Sequence, residues 1–78
     1  MLHELWTNSE GTDLFCLAGP RGDGARKLLE PGDQLIWTCE ADSHVEAMTK
    51  YYEFRGWGQY TSAFPEQDNK TYREMGWE

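Results

Sequence analysis

Apolar and polar residues alternate most clearly from Gln34 to Ala41. Leu35, Trp37, Cys39 and Ala41 fall on one side of the pattern, and Ile36, Thr38 and Glu40 on the other. A period of two predicts a strand with one face toward a core, and the first set is expected to face inward. Leu2 to Thr7 and Leu14 to Ala18 read as two shorter strands. The residues between them, Asn8-Ser9-Glu10-Gly11-Thr12-Asp13, are turn formers, so the two strands are expected to pair as a hairpin.

At Ser43 the period changes to that of a helix. Ser43-His44-Val45-Glu46 has the form of a capping box: the Ser43 hydroxyl accepts from the Glu46 amide, and the Glu46 carboxylate returns a bond to Ser43. Val45, Met48 and Tyr52 then fall at i, i+3 and i+7, with Ala47, Tyr51 and Phe54 beside them, which predicts one broad apolar stripe on a helix from Ser43 to Arg55. Gly56 is placed to end this helix in the left-handed conformation, and Trp57 to fold back onto its last turn.

The chain repeats the device at its C-terminal side. Tyr52, Gly56 and Trp57 share their spacing with Tyr72, Gly76 and Trp77, twenty residues on. Pro65 suits the first turn of a short helix, Tyr72 and Met75 are expected to face inward, and Gly76 and Trp77 to close the turn. Only three of six positions match and the flanks do not align. Two helix stops of one kind therefore explain the repetition better than a duplicated module.

The segment from Ala25 to Glu30 reads either as a short helix capped by Asp23 or as a strand entering the Pro31-Gly32 turn. The helix formers Arg26, Lys27, Leu28 and Leu29 favour the helix. The elements together predict an α+β fold in one small domain spanning residues 1–78. It comprises an antiparallel sheet of about three strands packed against the helix, with a short C-terminal helix or turn docked by Trp77.

Composition narrows the function. Fourteen acidic residues against seven basic ones leave a net charge of −7, which disfavours phosphate backbones and anionic membranes, so neither nucleic acid nor membrane is expected as a partner. No apolar run is long enough for a membrane helix. The N-terminus also lacks the basic and long apolar regions of a signal peptide, so a cytoplasmic protein with reduced thiols is expected. Cys16 and Cys39 are read as small core residues on neighbouring strands, since two cysteines make no disulfide framework.

Motifs that carry chemistry are sparse. Gly19 and Gly24 have the outer spacing of a phosphate-binding loop, but Ala25 and Arg26 stand where lysine and a hydroxyl residue are required. Arg21-Gly22-Asp23 is explained by turn chemistry. His3, His44, Cys16 and Cys39 lack the paired spacing of metal ligands, and no metal or cofactor is expected. A Cys39–His44 catalytic pair requires an accessible thiolate, whereas the alternation buries Cys39. Asp42, Glu46 and Glu53 are interrupted by Lys50 and Arg55, as on a solvated helix face, which argues against nucleic-acid mimicry.

What remains is aromatic. Eight of the eleven aromatic residues lie between Tyr51 and Trp77, more than a three-stranded sheet can bury. The reading that follows is a non-enzymatic protein-interaction or self-association module, with Trp57, Tyr60 and Trp77 as partner-binding residues and an unknown protein or a second copy as partner. The alternative is a small-molecule binder or enzyme with a pocket between sheet and helix, and Cys39, His44 or Arg26 near its mouth.

Overall fold

The computed structural model describes residues 1–78 and has two compact units, Leu2–Cys39 and Met1 with Glu40–Glu78. The class is α+β, with three strands in one antiparallel sheet, one main helix and shorter helical turns.

In the first unit, strand β1 (Leu2–Thr7) is central, flanked by β2 (Leu14–Leu17) and β3 (Gln34–Glu40). β1 and β2 form the expected hairpin, with His3 opposite Leu17, Glu4 opposite Cys16 and Leu5 opposite Phe15. Asn8 organises its turn: Oδ1 accepts from the amides of Glu10 and Thr12, and Nδ2 donates to Asp33 at 3.1 Å. The second carboxylate oxygen of Asp33 accepts from the Glu30 amide and shapes the Pro31-Gly32 turn.

One face of the sheet carries His3, Leu5, Phe15 and Trp37. Phe15 lies on β2 and Trp37 on β3, yet their rings are stacked at 6.2 Å, and His3 stacks on Phe15 at 5.5 Å. The two aromatic rings thus lean across the central strand, and Leu5 between them is fully buried. Cys39 shares this face, whereas Cys16, beside Phe15 in the chain, points to the other. The two cysteines are therefore not on neighbouring strands, as expected, but on the two outer strands and on opposite faces; no disulfide joins them.

The inward set of β3 is also shorter than its alternation predicts. Ala41 is buried, Trp37 and Cys39 are half-buried, and Leu35 is 44% exposed. Alternation assigns a side chain to a face, but burial needs a neighbour above it. The cover supplied by Phe15 and Trp37 is centred on Leu5, one residue pair short of Leu35.

After β2 a 3-10 turn (Pro20–Gly22) leads into α1 (Asp23–Arg26), a single helical turn that starts two residues before the predicted segment Ala25 to Glu30 and ends four residues before its end, so only Ala25 and Arg26 of that segment are helical. Asp23 is not its cap. Gly22 occupies that position, and the Asp23 carboxylate binds the Arg26 guanidinium.

In the second unit, α2 (His44–Arg55) starts at the predicted cap, with Ser43 Oγ accepting from the Glu46 amide at 3.1 Å. The Glu46 carboxylate does not return to Ser43; it pairs with Lys50 one turn on, at 3.3 Å. The stripe is centred on Ala47 and Tyr51, which are buried, while Val45, Met48 and Tyr52 are half-buried and Phe54 is exposed.

The C-terminal segment is not one helix. α3 (Pro65–Asp68) is a single turn, and a second turn starts afresh at Thr71. Thr71 makes the complete capping box that Ser43 does not: its hydroxyl accepts from the Glu74 amide at 3.1 Å, and Glu74 Oε1 accepts from the Thr71 amide. Thr71 also bridges Ser43 as an isolated antiparallel pair, and the Tyr72 amide donates to the Asp42 carbonyl at 2.7 Å. The two caps thus sit side by side, and Tyr72 is buried as expected.

Candidate functional site

Residues 44–60 of the second unit build a linked set of rings. Tyr52 is its hub, meeting Tyr51, Trp57 and Tyr60 edge to face with centroids 6.2, 5.4 and 5.2 Å away. Trp57 also meets Tyr51 at 5.2 Å, and Tyr60 reaches His44 at 6.4 Å.

Each contact has a local cause. Gly56 takes φ +72°, and the Trp57 amide donates to the Tyr52 carbonyl at 3.0 Å, a Schellman stop that turns the indole back over α2. The chain then runs along the helix. His44 and Tyr52 are eight residues apart, about 12 Å along the axis, and the Tyr60 ring bridges that interval.

The same stop recurs at Gly76, φ +78°, where the Trp77 amide donates to the Tyr72 carbonyl at 2.8 Å and the two rings stack at 5.5 Å with an interplanar angle of 9°. The doubled pattern is thus one backbone device used twice, as its spacing predicted.

The predicted site residues differ in setting. Trp57 is 55% exposed although its ring is held by Tyr51 and Tyr52; Tyr60 is half-buried; and Trp77 is 37% exposed on the Tyr72 ring. Trp57 and Tyr60 are joined through Tyr52, while Trp77 belongs to the second stop. Phe54, expected in the apolar stripe, instead adds to the exposed aromatic surface of α2, with the Arg55 guanidinium 5.7 Å from its ring centre. Two ring contacts have no sequence signal: that of Tyr52, expected simply as core, and that of His44, which is exposed as expected yet meets Tyr60. The fold-back of residues 57–60 recruits both, and no periodicity encodes it.

The rings pack against one another edge to face at 5.2–6.2 Å. What the set offers is an outer surface of rigid, partly exposed aromatic rings.

The glycine-rich loop is occupied by its own arginine. Arg26 Nη1 donates to the Leu17 carbonyl at 2.8 Å and to Glu4 Oε1 at 3.2 Å, and Nη2 donates to the Gly19 carbonyl and Asp23. Glu4 also accepts from the Trp6 indole at 3.3 Å. A phosphate cradle presents amide hydrogens to an anion, whereas this loop turns carbonyls toward a guanidinium. Gly22 is needed here for space, since a Cβ would lie 1.7 Å from the Leu17 oxygen.

Cys16 is buried, and that burial pushes its thiol pKa above the ordinary value, against a smaller opposing pull from Arg26. A thiol held protonated in this way is a poor nucleophile at neutral pH. No three His, Cys, Asp or Glu side chains are gathered as metal ligands, and no helix is long and apolar enough to cross a membrane.

No family model matches the chain, and neither the curated proteins nor the solved structures contain a match to it.

Proposed function

We propose that the protein is a non-enzymatic interaction module that engages a protein partner through the aromatic surface around Trp57 and Tyr60, with Trp77 contributing from the second helix stop. One observation carries this reading: Trp57 is more than half exposed while two tyrosine rings and a backbone stop hold it in place. A large side chain already immobilised loses little entropy on binding, and tryptophan and tyrosine are the residues most enriched where interfaces concentrate their energy.

The net charge of −7 supports a protein partner over nucleic acid or an anionic membrane.

The test is quantitative affinity capture with wild type, Trp57→Ala, Tyr60→Ala and Trp77→Ala, each checked for fold by circular dichroism. The proposal expects a partner whose recovery falls with Trp57→Ala and Tyr60→Ala while the fold persists. Equal recovery by folded variants, or loss of fold in both, overturns it.

A further inference from the structure

The pairing of the two caps builds a polar cavity in the second unit. Thr71 bridges Ser43, and the Tyr72 amide donates to the Asp42 carbonyl at 2.7 Å, so the backbone brings Asp42 and Arg73 to one place. The stop at Gly76 then returns the chain, and Glu78 reaches the same place. Asp42, Thr71, Arg73 and Glu78 line a cavity of about 240 Å³.

The groups around this cavity differ in how they are used. Glu78 accepts from the Met1 ammonium at 2.7 Å, so its charge is already matched. The Thr71 hydroxyl is committed to Glu74, donating to its carboxylate and accepting from its amide. The Asp42 carboxylate and the Arg73 guanidinium, by contrast, form no ion pair with each other or with any other group, although both line the same space. Two unmatched charges of opposite sign therefore border one small cavity. With Glu78 and Met1 included, the charges around it sum to zero.

The geometry points to a binding site for a small zwitterion, a free α-amino acid. The planar fork of Arg73 accommodates its carboxylate through two parallel hydrogen bonds, and the Asp42 carboxylate accepts from its ammonium group. Other charge types fit less well. An inorganic anion would meet Arg73 but also two carboxylates, and a metal ion would meet a guanidinium and an ammonium. A peptide end carries only one of the two charges. The volume lies below the roughly 300 Å³ at which pockets for drug-sized ligands begin, which favours a small side chain such as that of alanine. None of Trp57, Tyr60 and Trp77 lines the cavity, so the site is separate from the aromatic surface and does not rest on its role.

Asp42 and Arg73 are both exposed, so water competes for them and the expected dissociation constant is about 1–10 mM. Titration of the isotope-labelled protein with L-alanine in low-salt buffer, followed by amide NMR, tests it. The amides of Ser43, Thr71, Tyr72 and Arg73 should shift along one saturable curve. Acetate, methylammonium and inorganic phosphate, which carry one kind of charge each, should bind at least about threefold more weakly than L-alanine. Arg73→Gln and Asp42→Asn should each weaken L-alanine binding by about threefold or more while the remaining amide spectrum stays in place, since neither side chain holds another part of the fold. The inference is overturned if L-alanine gives no saturable shift up to about 50 mM, five times the upper expected constant. It is also overturned if acetate, methylammonium or phosphate matches L-alanine, or if either folded variant binds it as wild type does.

Discussion

Tyr52 and Trp57 are tied twice: the Trp57 amide donates to the Tyr52 carbonyl at 3.0 Å, and the two rings meet edge to face at 5.4 Å. Tyr72 and Trp77 repeat the backbone half of this relationship at 2.8 Å and replace the edge contact by a stack. In both, the glycine before the tryptophan makes the reversal possible, because its positive φ costs an L-residue about 1–2 kcal/mol.

That cost is directly measurable. A Cβ at Gly56 or Gly76 meets no atom within 4 Å, so substitution there acts through backbone conformation alone. Gly56→Ala and Gly76→Ala are each expected to lower the unfolding free energy by about 1 kcal/mol in urea titration, and Gly56→Asn by less. Equal stability of Gly56→Ala and wild type would show that the reversal is not set by this residue.

Gly22 offers the opposite case. Its φ is −96°, open to any residue, but a Cβ would collide with the Leu17 carbonyl and press on Arg26. Gly22→Ala is therefore expected to cost more than Gly56→Ala, about 2–3 kcal/mol. Arg26→Lys, which keeps the charge but loses the fork, should speed amide exchange across residues 19–24 without altering that of α2. Unchanged exchange in the loop would mean that the guanidinium does not hold it.

These contrasts show where the sequence was legible. β1, β3 and α2 follow from alternation, a serine cap and a glycine stop, all of which are local rules. The same stops predicted how Trp57 and Trp77 fold back. Leu35 and Phe54 were misplaced because periodicity assigns a face and not the neighbours that cover it. The break after Asp68 was missed because it depends on Thr71 pairing with Ser43, twenty-eight residues away in the chain. The partners of Arg26 come from three separate segments, so no spacing rule announces them. Of the predicted site, the exposed indole of Trp57 follows from its stop, whereas the Tyr60–His44 contact arises only from the path of residues 57–60.

The thiols give a pH test. Cys16 is buried with its pKa raised, and Cys39 is half-buried on the opposite face of the sheet. Native protein at pH 7.5 should label first at Cys39 with a small disulfide reagent, and at Cys16 only at the rate of opening. A thiol that holds its proton more tightly when folded leaves stability intact below the ordinary thiol pKa of about 8.5, and lowers it as pH rises beyond that value. Cys16→Ser should remove this alkaline loss. Rapid labelling of Cys16 in the folded state would contradict the assignment.

The most direct test of the central claim is Trp57→Ala, measured for stability and for partner binding on one preparation. Loss of the edge contacts to Tyr51 and Tyr52 is expected to cost about 1–2 kcal/mol and leave a cooperative unfolding transition, while partner binding weakens by about tenfold or more. Unchanged binding by a folded variant, or collapse of the fold together with binding, would contradict the account and assign Trp57 to the architecture alone.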